Sequence, residues 1–179
     1  MKRQTIIGLD IGGTKCAVLE GTFQAEILAR EQFATQTELG FAKTFAALCA
    51  AVERRLGAAA SAGNQVAALS VSIGGPLDIS RGIIYSPANL PGWDAIPLKE
   101  LLEQRFGLPT HVEHDGNAGA LAEWRFGAGQ GLHNLVFLTM GTGLGGGLIL
   151  NGRLYRGTTD TAGEVGHMRV APDGPLAYG

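Results

Sequence analysis

An α/β fold of two related lobes is what this sequence predicts, and three observations predict it. From Ile6 to Lys15 the chain reads Ile-Ile-Gly-Leu-Asp-Ile-Gly-Gly-Thr-Lys, an apolar strand that ends on a carboxylate and turns on two glycines. The design returns about 130 residues later, where Leu135 to Met140 leads into the glycine-rich run 141–147 and then Leu148-Ile149-Leu150. Between the two, apolar residues at spacings of three and four alternate with short continuous apolar runs, the pattern of helices laid on a sheet.

Both turns suit phosphate. Gly12 and Gly13 can take positive φ and, having no Cβ, let main-chain N–H groups approach a polyanion, while Thr14 adds a hydroxyl and Lys15 a cation. Asp10, at the strand end, is placed to hold a hydrated divalent ion. The competing reading is a Gly-Gly hairpin with an ordinary surface Asp and Lys. A P-loop is excluded, because Gly8 to Gly13 is followed by Thr14-Lys15 in the wrong order and then by the strand Cys16-Ala17-Val18-Leu19, not by a helix. In the second run Gly141, Gly143 and Gly146 fit Gly-x-Gly-x-x-Gly, which marks a dinucleotide site only when a helix follows. Asn151-Gly152 closes a hairpin instead, which argues against a Rossmann fold. Two phosphate turns in one chain suggest two similar lobes closing on a nucleotide from opposite sides, the actin-like, ribonuclease H-like architecture.

Taken in order, the first hairpin is followed by a third strand over Ala25 to Ala34 and the polar run Thr35 to Gly40. Phe41, Phe45, Leu48, Val52 and Leu56 make one helical stripe, which Gly57 is expected to end. Val66 to Ile73 reads as a strand buried in the sheet, stopping at Gly74-Gly75-Pro76. Leu77 to Trp93 is rich in loops, with a short hairpin at Ser80-Arg81-Gly82, and loops of this length in a compact domain are usually functional. A helix begins at Pro97 with Leu98, Leu101, Leu102 and Phe106 buried, and Gly107 and Pro109 close it. Thr110 to Glu113 is a strand delivering His114-Asp115-Gly116-Asn117, and an Ala- and Leu-rich helix runs on to Phe126. The lobes are expected to divide as 1–117 and 118–179, with the seam within 115–131. The first takes about 110 residues and only about 45 remain after Leu135, so the second is expected to be incomplete.

The two motifs, Gly-Leu-Asp-Ile-Gly-Gly-Thr-Lys at 8–15 and Gly-Thr-Gly-Leu-Gly-Gly-Gly-Leu at 141–148, resemble the phosphate signatures of the ROK family, named for repressors, open reading frames and sugar kinases. The resemblance covers nearly the whole chain. It implies that Asp10, Gly12, Gly13, Thr14, Lys15, Gly141, Thr142, Gly143, Gly145 and Gly146 hold the phosphates of ATP, with Asp10 organising Mg²⁺ through water. It also implies a sugar site of Gly75, Asn89, His114, Asp115, Glu164 and His167. On residues alone, Asn89 in Pro87-Ala-Asn-Leu-Pro-Gly-Trp93 is equally a turn former, since Asx side chains bond their own backbone. Glu164 and His167 lie three apart in a glycine-rich loop and could bind adjacent hydroxyls. Asp115 is either a helix N-cap or a cleft carboxylate able to take a proton from an acceptor hydroxyl; the resemblance makes it the general base, and Asn117 completes the Asp-x-Asn pattern found there. His114 departs from the family, where many kinases have Asn, and bears on sugar preference. Many members also carry a Cys-rich zinc motif about ten residues after the His. Here Ala177 and Gly179 stand where cysteines would fall, and one His cannot supply the four ligands of a structural zinc, so no zinc is expected. ROK proteins have a further half that closes over adenine, so this chain resembles a member cut before its base pocket.

At net charge −2 over 179 residues, with 45% apolar residues, the balance points to no nucleic acid. No basic stripe precedes the first strand beyond Lys2 and Arg3, where a DNA-binding member would carry a helix-turn-helix. Neither a signal peptide nor an apolar run of about 20 residues is present, so a cytoplasmic protein without membrane contact is expected. Cys16 and Cys49 sit alone, which favours core packing over a disulfide or metal site. The reading is therefore an actin-like ROK sugar kinase moving the γ-phosphoryl of ATP, with Mg²⁺, to a glucose-like hexose, first at O6, or to an N-acetylhexosamine. A homodimer is the expected assembly. The alternatives are a sugar-sensing regulator of the same family and a non-kinase actin-like ATPase, and the Asn89, Asp115 and Glu164 set argues against the latter.

Overall fold

The computed structural model describes residues 2–141, 143–171 and 173, in two compact units that part between His114 and Asp115. The first begins with β1 (Gln4–Ile11), β2 (Lys15–Gly21) and β3 (Ile27–Ala34), continues through helix α1 (Gly40–Ser61) to β4 (Gln65–Ile73), and forms the short hairpin β5 (Leu77–Asp78) and β6 (Ile83–Ile84). Helix α2 (Leu98–Phe106) and β7 (Thr110–His114) complete it. The sheet order is β3-β2-β1-β4-β7, with β2 antiparallel to β1 and β3, and β4 parallel to β1 and β7.

Burial explains the strand in the middle. Ile7, Leu9 and Ile11 alternate along β1 and are at most 2% exposed. They join Cys16 and Val18 of β2, Leu69, Val71 and Ile73 of β4, and Leu48 and Val52 of α1 in one core. Because β1, β4 and β7 are parallel, they deliver their ends to one edge of the sheet, where Ile11 faces Ile73 and Ile73 faces His114 across the register. Ligands in such sheets gather at the carboxyl ends of the strands.

Two expectations need correcting here. Gly57 does not end α1: the helix continues to Ser61, because Ala58-Ala59-Ala60 is the strongest helix-forming sequence available, and the left-handed Gly63 (φ 78°) follows its end. The third strand starts at Ile27, not Ala25, since residues 22–26 form a tight turn in which Thr22 N donates to Glu26 O at 2.9 Å and Ala25 takes φ 63°.

The second unit holds α3 (Asp115–Phe126) and, among its described residues, an antiparallel sheet in the order β10-β9-β8: β8 (Leu135–Met140), β9 (Leu144–Leu150) and β10 (Arg153–Tyr155). Asn151 and Gly152, at φ 52° and 71°, make the tight hairpin turn between β9 and β10. One sheet face carries α3, with the Phe137 ring against Gly119. On β8 the alternate residues Val136, Leu138 and Met140 are 61%, 55% and 86% exposed. No described helix of the chain is long and apolar enough to cross a membrane.

Candidate active site

In the first unit three predicted elements meet at the carboxyl edge of the sheet. Residues 12–14 join β1 to β2, closed by Gly12 N donating to Lys15 O at 3.1 Å. Asp10, Thr14 and Lys15 are exposed and Ile11 is buried, so the polar end of the hairpin faces solvent. Gly12 and Gly13 do not use the positive φ open to glycine. Glycine is needed at 13 for space: a Cβ there would lie 2.6 Å from Asn89 O and 2.8 Å from Asn89 Cβ. Gly75, at φ 101°, is tied to the same loop, since its Cβ would come within 2.6 Å of Pro87 Cβ.

The 86–93 loop is anchored by its apolar residues and its main chain. Leu90 is fully buried, and Trp93 is 1% exposed with its ring edge-on to Phe41 of α1 at 5.0 Å. Leu90 N donates to Pro87 O, Ser86 N to Trp93 O, and the Ser86 hydroxyl to Asp94 Oδ1 at 2.6 Å. With its neighbours fixed inward, Asn89 itself is exposed beside the 12–14 turn. His114 ends β7 at the same edge, half-buried, its N–H donating to Glu113 Oε1 at 3.1 Å.

The second unit assembles its own set around β9. Asp115 is the first residue of α3, exposed, and one of its carboxylate oxygens accepts from Gly116 N–H at 2.7 Å. Gly116 touches the second hairpin main chain to main chain: a Cβ on it would lie 2.3 Å from Gly146 O, and one on Gly147 would lie 2.3 Å from Gly116 O. From the other direction, Gly163 approaches Gly146 O and Gly166 approaches Leu144 O, each at 2.4 Å from an added Cβ. The loop bearing Glu164 and His167 is thereby seated on the same strand, with His167 Nε2 3.8 Å from Glu164 Oε2.

The glycines of the second run divide by role. Gly141 and Gly143 lie in the turn, with Gly141 N donating to Gly143 O at 2.9 Å and open space where their Cβ atoms would be. Gly145 and Gly146 belong to β9, and Gly146 is buried by packing. Thr142 lies outside the described residues, as do Ala177 and Gly179, on which the zinc expectation rested.

A magnesium nucleotide fits the first hairpin by donor chemistry. Among the described residues no group of three His, Cys, Asp or Glu could hold a metal ion by itself. Mg²⁺ needs none where phosphates supply ligands, because it keeps several waters and takes one or two carboxylates. Asp10 would be that carboxylate, with the Gly12–Lys15 turn supplying N–H groups, a hydroxyl and a cation to the phosphates. Gly116, Gly147 and Gly163, which seat the second set, went unnoticed in the sequence as structural contacts; Gly-x-x-Gly spacing at 163 and 166 was the one available signal.

A model of the ROK family matches residues 6–178. The chain is 39% identical over 170 residues to a glucokinase of Streptomyces coelicolor, covering 95% of this chain and 51% of that protein. It is 29% identical over 166 residues to a xylose repressor of Caldicellulosiruptor bescii, covering 93% and 41%. Among solved structures, a ROK family glucokinase from Streptomyces griseus in complex with glucose and AMPPNP matches with a TM-score of 0.82 at 43% identity, over 97% of this chain and 53% of that one. The chain thus spans about half the length of the glucokinases it matches, and its fold is that of the actin-like ATPases.

Proposed function

Since the chain belongs to the ROK family, we propose that it carries the phosphate- and sugar-holding parts of an ATP-dependent sugar kinase, with a glucose-like hexose as acceptor and O6 as the hydroxyl. The observation that carries this reading is the contact of Gly13 with the Asn89 main chain. It sets a turn suited to phosphates against a loop suited to a polyol, so donor and acceptor would be held by one rigid edge. Phosphoryl transfer asks little covalent chemistry of the protein and much positioning. Asn89 would donate to and accept from vicinal hydroxyls, and Glu164 with His167 would bind a second pair. The Asp115 carboxylate would take the proton of the acceptor hydroxyl as that oxygen bonds to the γ-phosphorus. The bond from the γ-phosphorus to its bridging oxygen breaks in the same step, and ADP leaves with the electron pair. When bound, Mg²⁺ would offset the charge of the phosphates. ATP and the sugar are the expected partners, in a homodimer.

A panel of glucose, mannose, fructose, N-acetylglucosamine and N-acetylmannosamine with Mg·ATP tests this, following ADP release. Turnover highest with glucose is expected. The similarity to a xylose repressor favours a second reading, a sugar-responsive regulator. That reading gains if no sugar of the panel is phosphorylated while one of them raises the melting temperature.

A further inference from the structure

We propose that Thr35, just past the end of β3, is the positioning residue of the first phosphate turn; this rests on the reading of residues 12–15 as phosphate-holding. Thr35 is 2% exposed and is bonded on every side. Its hydroxyl donates to Gly12 O at 2.5 Å, and its main-chain N–H donates to Thr14 O at 3.1 Å. Its own carbonyl accepts from the Thr44 hydroxyl of α1 at 3.0 Å. Because the Thr35 proton is committed to Gly12 O, the Cys16 thiol, 3.4 Å away, donates to the Thr35 oxygen. Burial holds that thiol above its ordinary range, so the sulfur keeps its proton. The result is a chain of donors, Cys16 to Thr35 to Gly12, ending on the turn.

Its consequence follows from peptide geometry. The Gly12 carbonyl and the Gly13 N–H belong to one planar trans unit and point in opposite directions. Holding the carbonyl toward Thr35 therefore aims the Gly13 N–H away from it, and glycine on both sides of that peptide bond supplies no side chain to oppose a flip. One hydroxyl, anchored through Thr44 to α1, so decides which way the donor at the centre of the turn is presented. The sequence hides this, since Thr35 stands some twenty positions after the turn and follows an ordinary strand.

Thr35→Val keeps the shape and removes the donor, whereas Thr35→Ser keeps the donor and removes the methyl group. Amide hydrogen exchange over residues 10–16 and titration with Mg·ATP by calorimetry read the two consequences separately. Thr35→Val should exchange faster across 10–16, with β4 peptides unchanged, and bind Mg·ATP about five- to tenfold more weakly, the scale of one hydrogen bond. Thr35→Ser should stay within twofold of wild type on both. If Thr35→Val does not fold, Thr35→Ala carries the same two measurements. Unchanged exchange in the Val or Ala variant would overturn the proposal, and so would ATP affinity within twofold of a wild type that binds. A wild type that does not bind Mg·ATP at all would instead sink the phosphate reading, and the proposal with it.

Discussion

The chain builds the strand-turn-strand hairpin twice, and the two copies are stabilised in different ways. In β1–β2 the strands lie inside a five-stranded sheet, the core side chains Ile7, Leu9 and Ile11 are at most 2% exposed, and the turn is held by hydrogen bonds from Thr35. In β8–β9 the alternate side chains of β8 are more than half exposed. There the strand is held by backbone contact, α3 lying on Gly146 and Gly147 through Gly116, and the 163–166 loop lying on Leu144 and Gly146. Glycine therefore makes room for the Asn89 loop at the turn of the first copy, and for α3 and the 163–166 loop along the strand of the second. A glycine-rich motif does not by itself say which of its glycines meet a ligand.

The largest effect expected in the second copy is at the residue its glycines position. Asp115→Asn keeps the size and much of the hydrogen bonding of the carboxylate but removes the proton acceptor. In an active kinase kcat should fall by roughly 10² to 10⁴ with sugar affinity far less changed. Asn caps helices about as well as Asp, so steady-state kinetics of this variant separate base from cap. Activity within a few fold of wild type would make Asp115 architectural. The matching test of the first copy is Leu9→Ala. Leu9 is 1% exposed at the centre of the core, and the loss should be about 2–5 kcal/mol in denaturant unfolding; less than 1 kcal/mol would show that β1 is not the keystone of its sheet.

Much of this was legible, and what was not has identifiable causes. The strands, the helices and both hairpins follow from periodicity and turn residues, and Pro97 and Gly107 bracket α2 as expected. Gly57 misleads because three alanines follow it, and their helix propensity outweighs a lone glycine. The site was legible as motifs but not as contacts. Thr35 could be found only from the register of β2 with β3, where Lys15 faces Ala34, and a shift between Glu20 and Gly21, beside the 22–26 turn, breaks that register. A count without this bulge would turn Thr35 to the opposite face. The sequence marks Gly13 by its conformational freedom and Gly75 as the end of a strand, but the 86–93 loop, more than seventy residues beyond Gly13, is what requires glycine at 13, and at 75 it adds a close approach to a positive φ that already requires one.

A smaller effect tests the packing role of the second glycine run. A Cβ on Gly147 would lie 2.3 Å from Gly116 O and 2.7 Å from Ala120 Cβ, whereas one on Gly145 would meet only Thr139 Cγ2 at 3.5 Å. Gly147→Ala should cost about 1–3 kcal/mol through overpacking and lower kcat by displacing the helix that begins with Asp115. Gly145→Ala should be nearly neutral in both respects. Equal stability of the two variants by urea unfolding would show that α3 does not rest on β9 as described.

The smallest effect bears most directly on the contrast between the copies. Leu138 occupies β8 as Leu9 occupies β1, yet it is 55% exposed, beside Val136 and Met140 on the same face. Replacing it with Thr introduces a β-branched residue suited to a strand and removes apolar surface that water already reaches. Surface changes of this kind usually fall within about 0.5 kcal/mol, so the urea midpoint of Leu138→Thr should match that of wild type. Alanine would be a poorer probe, because its weaker strand propensity adds a cost unrelated to burial. A loss above about 2 kcal/mol would mean that Leu138 is covered in solution. The two hairpins would then be buried alike, and their difference would lie only in how glycine is used.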